Sequence, residues 1–295
     1  LAVVSFLSYW AAGMSAFDAI NHAFSVISTG GFSTKNLSIA SFDSNLINIL
    51  TIIFMFLSSV HFGLIYMVFA TRSLRPLNNP VLKFYVLTIL IASLLVALSL
   101  KMSSAGFTWG DSFMTGIFQV VSFISTTGFA ISDNSTWPLF ACFIAVLISI
   151  PCGMAGSTTG GVKSDRMFLI FKTIGQQIKN SIHPSSINQV HVGNHIMGSN
   201  EIYPHFVYFG LYFITIAASI VLTVLSGMDI QNAFASSVSF LSNVGPALEA
   251  QGTLGNYNAV PVFAKVVFII DMFMGRVEIY PILAVVMMVF TGKKK

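Results

Sequence analysis

Three uninterrupted apolar stretches, residues 46–70, 81–100 and 203–225, are long enough to cross a hydrocarbon core as helix, since a crossing takes about 20 residues. Two more, 138–152 and 261–290, are spans with interruptions. The opening run 1–12 is too short to cross and has no methionine, basic region or cleavage site of a signal peptide. It reads as the end of a helix whose start is missing. Three shorter apolar segments, 16–27, 112–124 and 230–241, lie between the long ones and end in small polar residues.

Aligning those short segments exposes an internal repeat: "SVISTGGF" from Ser25, "SFISTTGF" from Ser122 and "SFLSNVGP" from Ser239. The shared pattern is Ser, two apolar residues, Ser, Thr or Asn, any residue, Gly. Each copy follows a half-length helix and precedes a full span. The expected fold is an all-α membrane protein in which units of long helix, pore half-helix, filter loop and long helix repeat in one orientation around a central pore. The units cover residues 1–79, 80–200 and 201–295, the second ending in a polar cytoplasmic linker.

Irregular backbone at membrane depth is tolerated only where it lines a water-filled cavity or is buried in protein. Three such loops in register imply one cavity, where inward carbonyls can replace the hydration shell of a cation. The candidate potassium-binding filter is Ser28, Thr29, Gly30 and Gly31, then Ser125, Thr126, Thr127 and Gly128, then Ser242, Asn243, Val244 and Gly245. Each half-helix would aim the negative end of its dipole at the ion.

Composition agrees: 55% of residues are hydrophobic and 8% charged, against about 25% charged in soluble domains. The formal charge of +4 is informative by position. Arg72, Arg75 and Lys83, then Arg166, Lys172 and Lys179, then Lys293, Lys294 and Lys295 fall on one side; Asp18, Asp43, Asp111, Asp133, Asp229 and Glu249 fall on the other. The positive-inside rule makes the first set cytoplasmic. Cys142 and Cys152 share one apolar run, which argues against a disulfide framework. There is no basic face with interleaved aromatics for nucleic acid.

Five stretches carry a resemblance: "ISTGGFST" from Ile27, "ISTTGF" from Ile124, "SNVGPAL" from Ser242, "GMAGSTTGGVKSDR" from Gly153 and "MFMGRVEIYPIL" from Met272. With them nearly the whole chain resembles the Trk/Ktr/HKT superfamily of potassium transporters, and within it the TrkH-type subunits. The resemblance implies four units around one pore, of which the three here would be the second, third and fourth. A loop of the same pattern is then expected upstream of Leu1, the chain being a fragment or incomplete at its start. It also implies an inner-membrane homodimer, a cytosolic nucleotide-binding ring that gates flux, and no cofactor besides the potassium ion carried as substrate. Glycine at the filter position goes with potassium preference in that family, which Gly31, Gly128 and Gly245 fit.

The stretch 153–164 ends in lysine and serine, like a phosphate-binding loop, but Val162 separates Gly161 from Lys163, and the motif requires Gly-Lys-Ser/Thr in succession. The resemblance implies instead a gate obstructing the path below the filter, made of Gly153, Gly156, Ser157, Thr158, Thr159, Gly160 and Gly161; Lys163 is read as coupled to it, with the first cytoplasmic charge after a broken helix as the alternative. It also implies that Arg276 projects into the pore. From the residues alone, charges inside a span are costly and usually functional, which singles out Asp271, Arg276 and Glu278; Arg276 can equally bridge to Glu278 or to a filter-side carbonyl. His191 and His195 have helix-type metal spacing but lie in a polar stretch, 181–200, that reads as a solvated linker. Asn36 and Asn134 match glycosylation acceptors weakly, and Trp10, Trp109 and Trp137 sit near span ends as interfacial aromatics.

The leading expectation is potassium uptake through a channel-like pore. The alternative is a sodium-coupled secondary transporter, which also uses discontinuous helices, although such folds usually repeat in inverted orientation. No carboxylate pair, nucleophile with base or metal cluster within the spans suggests an enzyme.

Overall fold

The computed structural model describes residues 1–103, 106–183, 190–193, 195–247 and 251–291. Leu248, Glu249 and the closing lysines Lys293, Lys294 and Lys295 lie outside these described residues.

Helices dominate the described chain. Helix α1 (Ala2–Ala11) leads into the half-helix α2 (Ala16–Ile27), followed by α3 (Asn45–Ser59) and α4 (Phe62–Thr71). Helix α5 (Pro80–Met102) precedes the half-helix α6 (Trp109–Ile124), then α7 (Leu139–Ile148) and α8 (Ser164–Ile182). Helix α9 (Ser199–Leu225) precedes the half-helix α10 (Ile230–Leu241), then α11 (Val262–Val277) and α12 (Ile279–Thr291). Each half-helix starts on a polar cap: Ser15 accepts from Asp18 N, Thr108 from Asp111 N and Asp229 from Gln231 N. These caps satisfy helix N–H groups that otherwise have no partner.

Among the described residues α5 and α9 are the helices long and apolar enough to cross a membrane unaided, and α3 with α4 and α11 with α12 qualify as bent pairs. The expectation of an uninterrupted span at 46–70 is therefore corrected, because α3 and α4 meet at 96°. Ser58 and Ser59 turn their hydroxyls back onto Met55 O and Phe56 O, Val60 is extended, and the His61 ring caps α4 by accepting from Gly63 N. Serine side chains that compete for backbone carbonyls are a recognised cause of helix interruption. Helices α11 and α12 meet at 110°, where Glu278 has φ 70°.

The run 138–152 contributes only the short α7, after which β1 (Pro151–Cys152) and β2 (Val162–Lys163) pair in parallel and hold the ends of loop 153–161 side by side. The stretch taken as a solvated linker contains an antiparallel pair, β3 (Val190–Val192) with β4 (His195–Met197). His191 and His195 stand on opposite strands rather than on one helix face, and no group of three potential metal ligands occurs among the described residues.

Two apolar clusters frame the loops, one around Tyr9, Phe54, Tyr85 and Phe118, the other around Val162, Tyr208, Tyr212 and Leu241. Cys142 and Cys152 are buried and are not joined in a disulfide. Two surface readings fail on burial. Asn134 is 1% exposed, donating to Ala247 O and accepting from Thr253 N, so it ties two loops together instead of presenting a glycan site. Trp137 is 7% exposed, whereas Trp10 and Trp109 lie outside at 56% and 54%.

Candidate functional site

The three repeated loops share one backbone. Ser28, Ser125 and Ser242 cap their half-helices, and the next residue turns left-handed: Thr29 at φ 54°, Thr126 at φ 53° and Asn243 at φ 60°. The aligned glycines are left-handed too, Gly31 at φ 68°, Gly128 at φ 80° and Gly245 at φ 97°. Left-handed threonine is a true outlier because its branched Cβ crowds the backbone, and such outliers gather where surrounding structure enforces them for function.

What enforces them is local. Gly30 N donates to Ser25 O at 2.8 Å, Thr127 N to Ser122 O at 3.0 Å and Val244 N to Ser239 O at 2.9 Å. The loop N–H groups are thus spent on the half-helix carbonyls that would otherwise go unpaired. Among the described residues no donor engages the carbonyls of Gly30, Thr127 and Val244.

The loops interlock. A Cβ on Gly31 would overlap Thr127 O, and one on Gly128 would overlap Val244 O. The first two loops thus press their glycines against a carbonyl of the next, and glycine is required at both places. Gly245 meets nothing within 4 Å.

The segments after the loops are pinned by two different devices. Ser122 donates to Phe129 O at 2.6 Å and Ser239 to Pro246 O at 2.5 Å. Ser25 has no such bond; instead buried His22 bonds Asp18 O and Ser33 Oγ, while Asp18 bonds Thr34 Oγ1 and pairs with Lys35 at 3.5 Å. Sequence reading missed His22, although its place one turn before Ser25 matches Gln119 and Ser236 in the other copies.

Loop 153–161 lies against all three glycine loops. Thr158 Oγ1 donates toward Ile27 O at 3.0 Å and Ser58 O at 3.2 Å, while Thr29 Oγ1 donates to Thr158 O at 3.0 Å. Gly160 N donates to Thr126 Oγ1 at 3.1 Å, and a Cβ on Gly160 would stand 2.8 Å from Asn243 Cβ. A Cβ on Gly153 would come within 2.6 Å of Ser59 O, and one on Gly161 would overlap Cys152 Sγ. Gly156 abuts the His61 ring, and Ser157 Oγ pairs with Thr159 Oγ1 at 2.8 Å. The α3–α4 break has a purpose here: it frees Ser58 O and Ser59 O to receive Thr158 and Met154 N. The signal for it was visible in "SSVHFG", a polar cluster in mid-span.

Two cations finish the site. Lys163 folds back so that Nζ donates to Thr159 O and Thr159 Oγ1. Arg276 reaches from the end of α11 to donate to Thr158 O and, at 3.3 Å, to Ser28 O. It does not bridge to Glu278, which pairs instead with Arg166 at 2.6 Å, the guanidinium stacking 3.9 Å above the Tyr208 ring. Arg276 is therefore fixed by carbonyl oxygens of the loop and of the Gly31 copy. The assembly offers carbonyls without donors among the described residues, a polypeptide loop packed against all three glycine loops and a positive charge beside that loop.

Comparison with known proteins gives concordant matches. The family model described as TrkH, a cation transport protein, covers residues 1–291. The Trk system potassium uptake protein TrkH of Escherichia coli (strain K12) is 33% identical over 288 residues, 96% of this chain and 58% of that protein. The Trk system potassium uptake protein TrkG of the same strain is 31% identical over 287 residues. The crystal structure of the potassium transporter TrkH from Vibrio parahaemolyticus superposes with a TM-score of 0.90 at 30% identity, covering 97% of this chain and 61% of that one. The chain spans less than two thirds of the length of these relatives.

Proposed function

The chain belongs to the TrkH family of cation transport proteins, and from that premise we propose that it carries potassium across the inner membrane through a channel-like pore. Residues Ser28 to Gly31, Ser125 to Gly128 and Ser242 to Gly245 line the selective part of the path and take up the dehydrating ion on backbone carbonyls. The carrying observation is the triple repeat of one strained, left-handed loop whose N–H groups are turned onto the half-helix. With these donors spent there, the carbonyls of Gly30, Thr127 and Val244 remain for the ion.

Loop 153–161 is the gate. Its contacts with all three glycine loops support this reading, and a path through the ring cannot open without moving it. Arg276 holds the gate closed through Thr158 O and repels the arriving cation. A homodimer and a cytosolic nucleotide-binding ring that shifts the gate complete the proposal; α8, which continues directly from the loop to the side bearing Lys172 and Lys179, is the natural lever.

The test is potassium uptake by cells lacking their own uptake systems, with the protein in the longest form its gene encodes. Growth at low potassium is expected, to be lost on Gly128→Ser. Unchanged uptake and selectivity in that variant would overturn the filter assignment.

A further inference from the structure

The Gly245 loop is backed differently from the other two. Thr29 and Thr126 turn their hydroxyls toward the gate, whereas Asn243, at the same position, donates from Nδ2 to Met272 O of α11 at 3.1 Å. Next to Met272 stands Asp271, a carboxyl 3% exposed in mid-helix. Its Oδ2 lies 2.5 Å from Ser219 Oγ of α9, and Ser219 Oγ lies 3.0 Å from Ser237 Oγ of α10. One buried carboxyl thus joins three helices.

The join sits at loop level. Ser219 shares the buried stripe of α9 with Tyr212, whose hydroxyl meets Ser242 Oγ at 2.7 Å, on the residue that caps α10. One turn beyond Ser237 comes Leu241, and one turn beyond Asp271 comes Gly275, where an added Cβ would overlap Leu241 O. Helix α11 is seated on the end of α10, with Asp271 one turn behind the seat.

No Lys, Arg or His among the described residues lies within ion-pair distance of Asp271. An uncompensated carboxylate at this depth is strongly disfavoured. Hydrogen counting admits the acid form: with the carboxyl donating to Ser219, Ser219 keeps its own proton for Ser237.

We propose that Asp271 is a positioning residue for the Gly245 loop, a neutral carboxylic acid that donates to Ser219, which donates to Ser237, locking α9 and α11 to the half-helix behind the filter. The proposal rests on the reading that the Gly245 loop lines the selective path.

Asp271→Asn, Asp271→Leu and Ser219→Ala, reconstituted in liposomes in the longest natural form, test it. Asp271→Asn, neutral and able to donate, keeps the potassium-over-sodium permeability ratio of the parent. Asp271→Leu lowers it by roughly tenfold, the worth of one or two neutral hydrogen bonds, and Ser219→Ala lowers it in the same direction should the leucine variant not fold. Hydrogen/deuterium difference infrared spectra show a protonated-acid C=O band in the parent that Asp271→Asn lacks. The proposal is overturned if Asp271→Asn is as damaging as a variant that cannot donate, if the acid band is absent, or if Ser219→Ala keeps the parent ratio. A parent without any potassium preference would overturn the transport reading by itself, and the infrared band would still decide the protonation of Asp271.

Discussion

The loops proposed as filter and the loop proposed as gate are rich in glycine, serine and threonine and lie against one another, yet they are held in different ways. A filter loop is closed by its own half-helix: Gly30 bonds Ser25, Thr127 bonds Ser122 and Val244 bonds Ser239. Loop 153–161 has local ties at its ends and between Ser157 and Thr159, but it is seated by remote ones, with Thr158 bonding across 131 and 100 residues of chain, Gly160 across 34 and Arg276 across 118. Local bonds form whenever the half-helix forms and do not depend on how the helices sit. Remote bonds contribute about 1 kcal/mol each and release together when one helix shifts. A selective surface needs the first kind of support, and a movable obstruction needs the second.

The largest test of that contrast is Gly128→Ser. The new Cβ meets the Val244 carbonyl at a backbone φ of 80°. Left-handed strain of about 1–2 kcal/mol and overpacking of about 1–3 kcal/mol together correspond to a loss of uptake or selectivity of at least roughly 30-fold. Gly245→Ala carries the strain at φ 97° but meets open space, so its effect should be about tenfold milder. Equal damage at the two glycines, measured as potassium and sodium flux in liposomes, would contradict the interlocking of adjacent loops.

Deleting residues 156–158 attacks the other side of the contrast. Basal flux should rise by about 100-fold or more with no regulatory partner present, and the potassium-over-sodium ratio should hold, because the filter bonds are local. Collapse of the ratio along with the gate would show that the filter leans on the plug.

Arg276→Ala is the next step down. Two unit charges about 6 Å apart repel by roughly 3 kcal/mol at an effective dielectric of 20, a barrier of about two orders of magnitude in rate at most. Faster uptake per folded molecule is expected, with normal yield, since Glu278 keeps its pair with Arg166. Arg166→Ala is the control, because it strands Glu278 and lowers yield. Normal yield with slower uptake in Arg276→Ala would refute the electrostatic and tethering roles together.

The same contrast explains what could be read from the sequence. The shape of the repeated loops was legible because local construction leaves a local signature: the half-helices at 16–27 and 230–241 coincide with α2 and α10, and the Ser-x-x-Ser-x-x-Gly string holds both bonding partners. The contacts of loop 153–161 were not legible, since nothing in "GMAGSTTGG" names Ile27, Ser58 or Thr126 as partners, and its proposed role as a gate came through resemblance. The break at Val60 was missed because apolarity alone does not distinguish a span from a bent pair, and the reason to break lies about 100 residues away, at Thr158. Asn134 was misread for the same reason, its partners Ala247 and Thr253 being remote.

The finest test is Thr158→Val, which keeps the shape of the side chain and removes only its hydroxyl. That hydroxyl stands between Ile27 O at the foot of the first filter loop and Ser58 O at the helix break, so it ties the gate to one fixed and one bendable element. Its loss should cost the closed gate about 1 kcal/mol, a rise in basal flux of roughly fivefold. Thr158 O, the acceptor for Arg276 and Thr29, is backbone and survives the change, so the arginine tether persists and closure is weakened rather than abolished. The prediction therefore distinguishes graded remote bonding from a single latch. Flux as high as in the loop deletion would mean that this one hydroxyl carries the closed state, while unchanged flux would mean that Arg276 alone does, and either result would replace the picture of many weak ties.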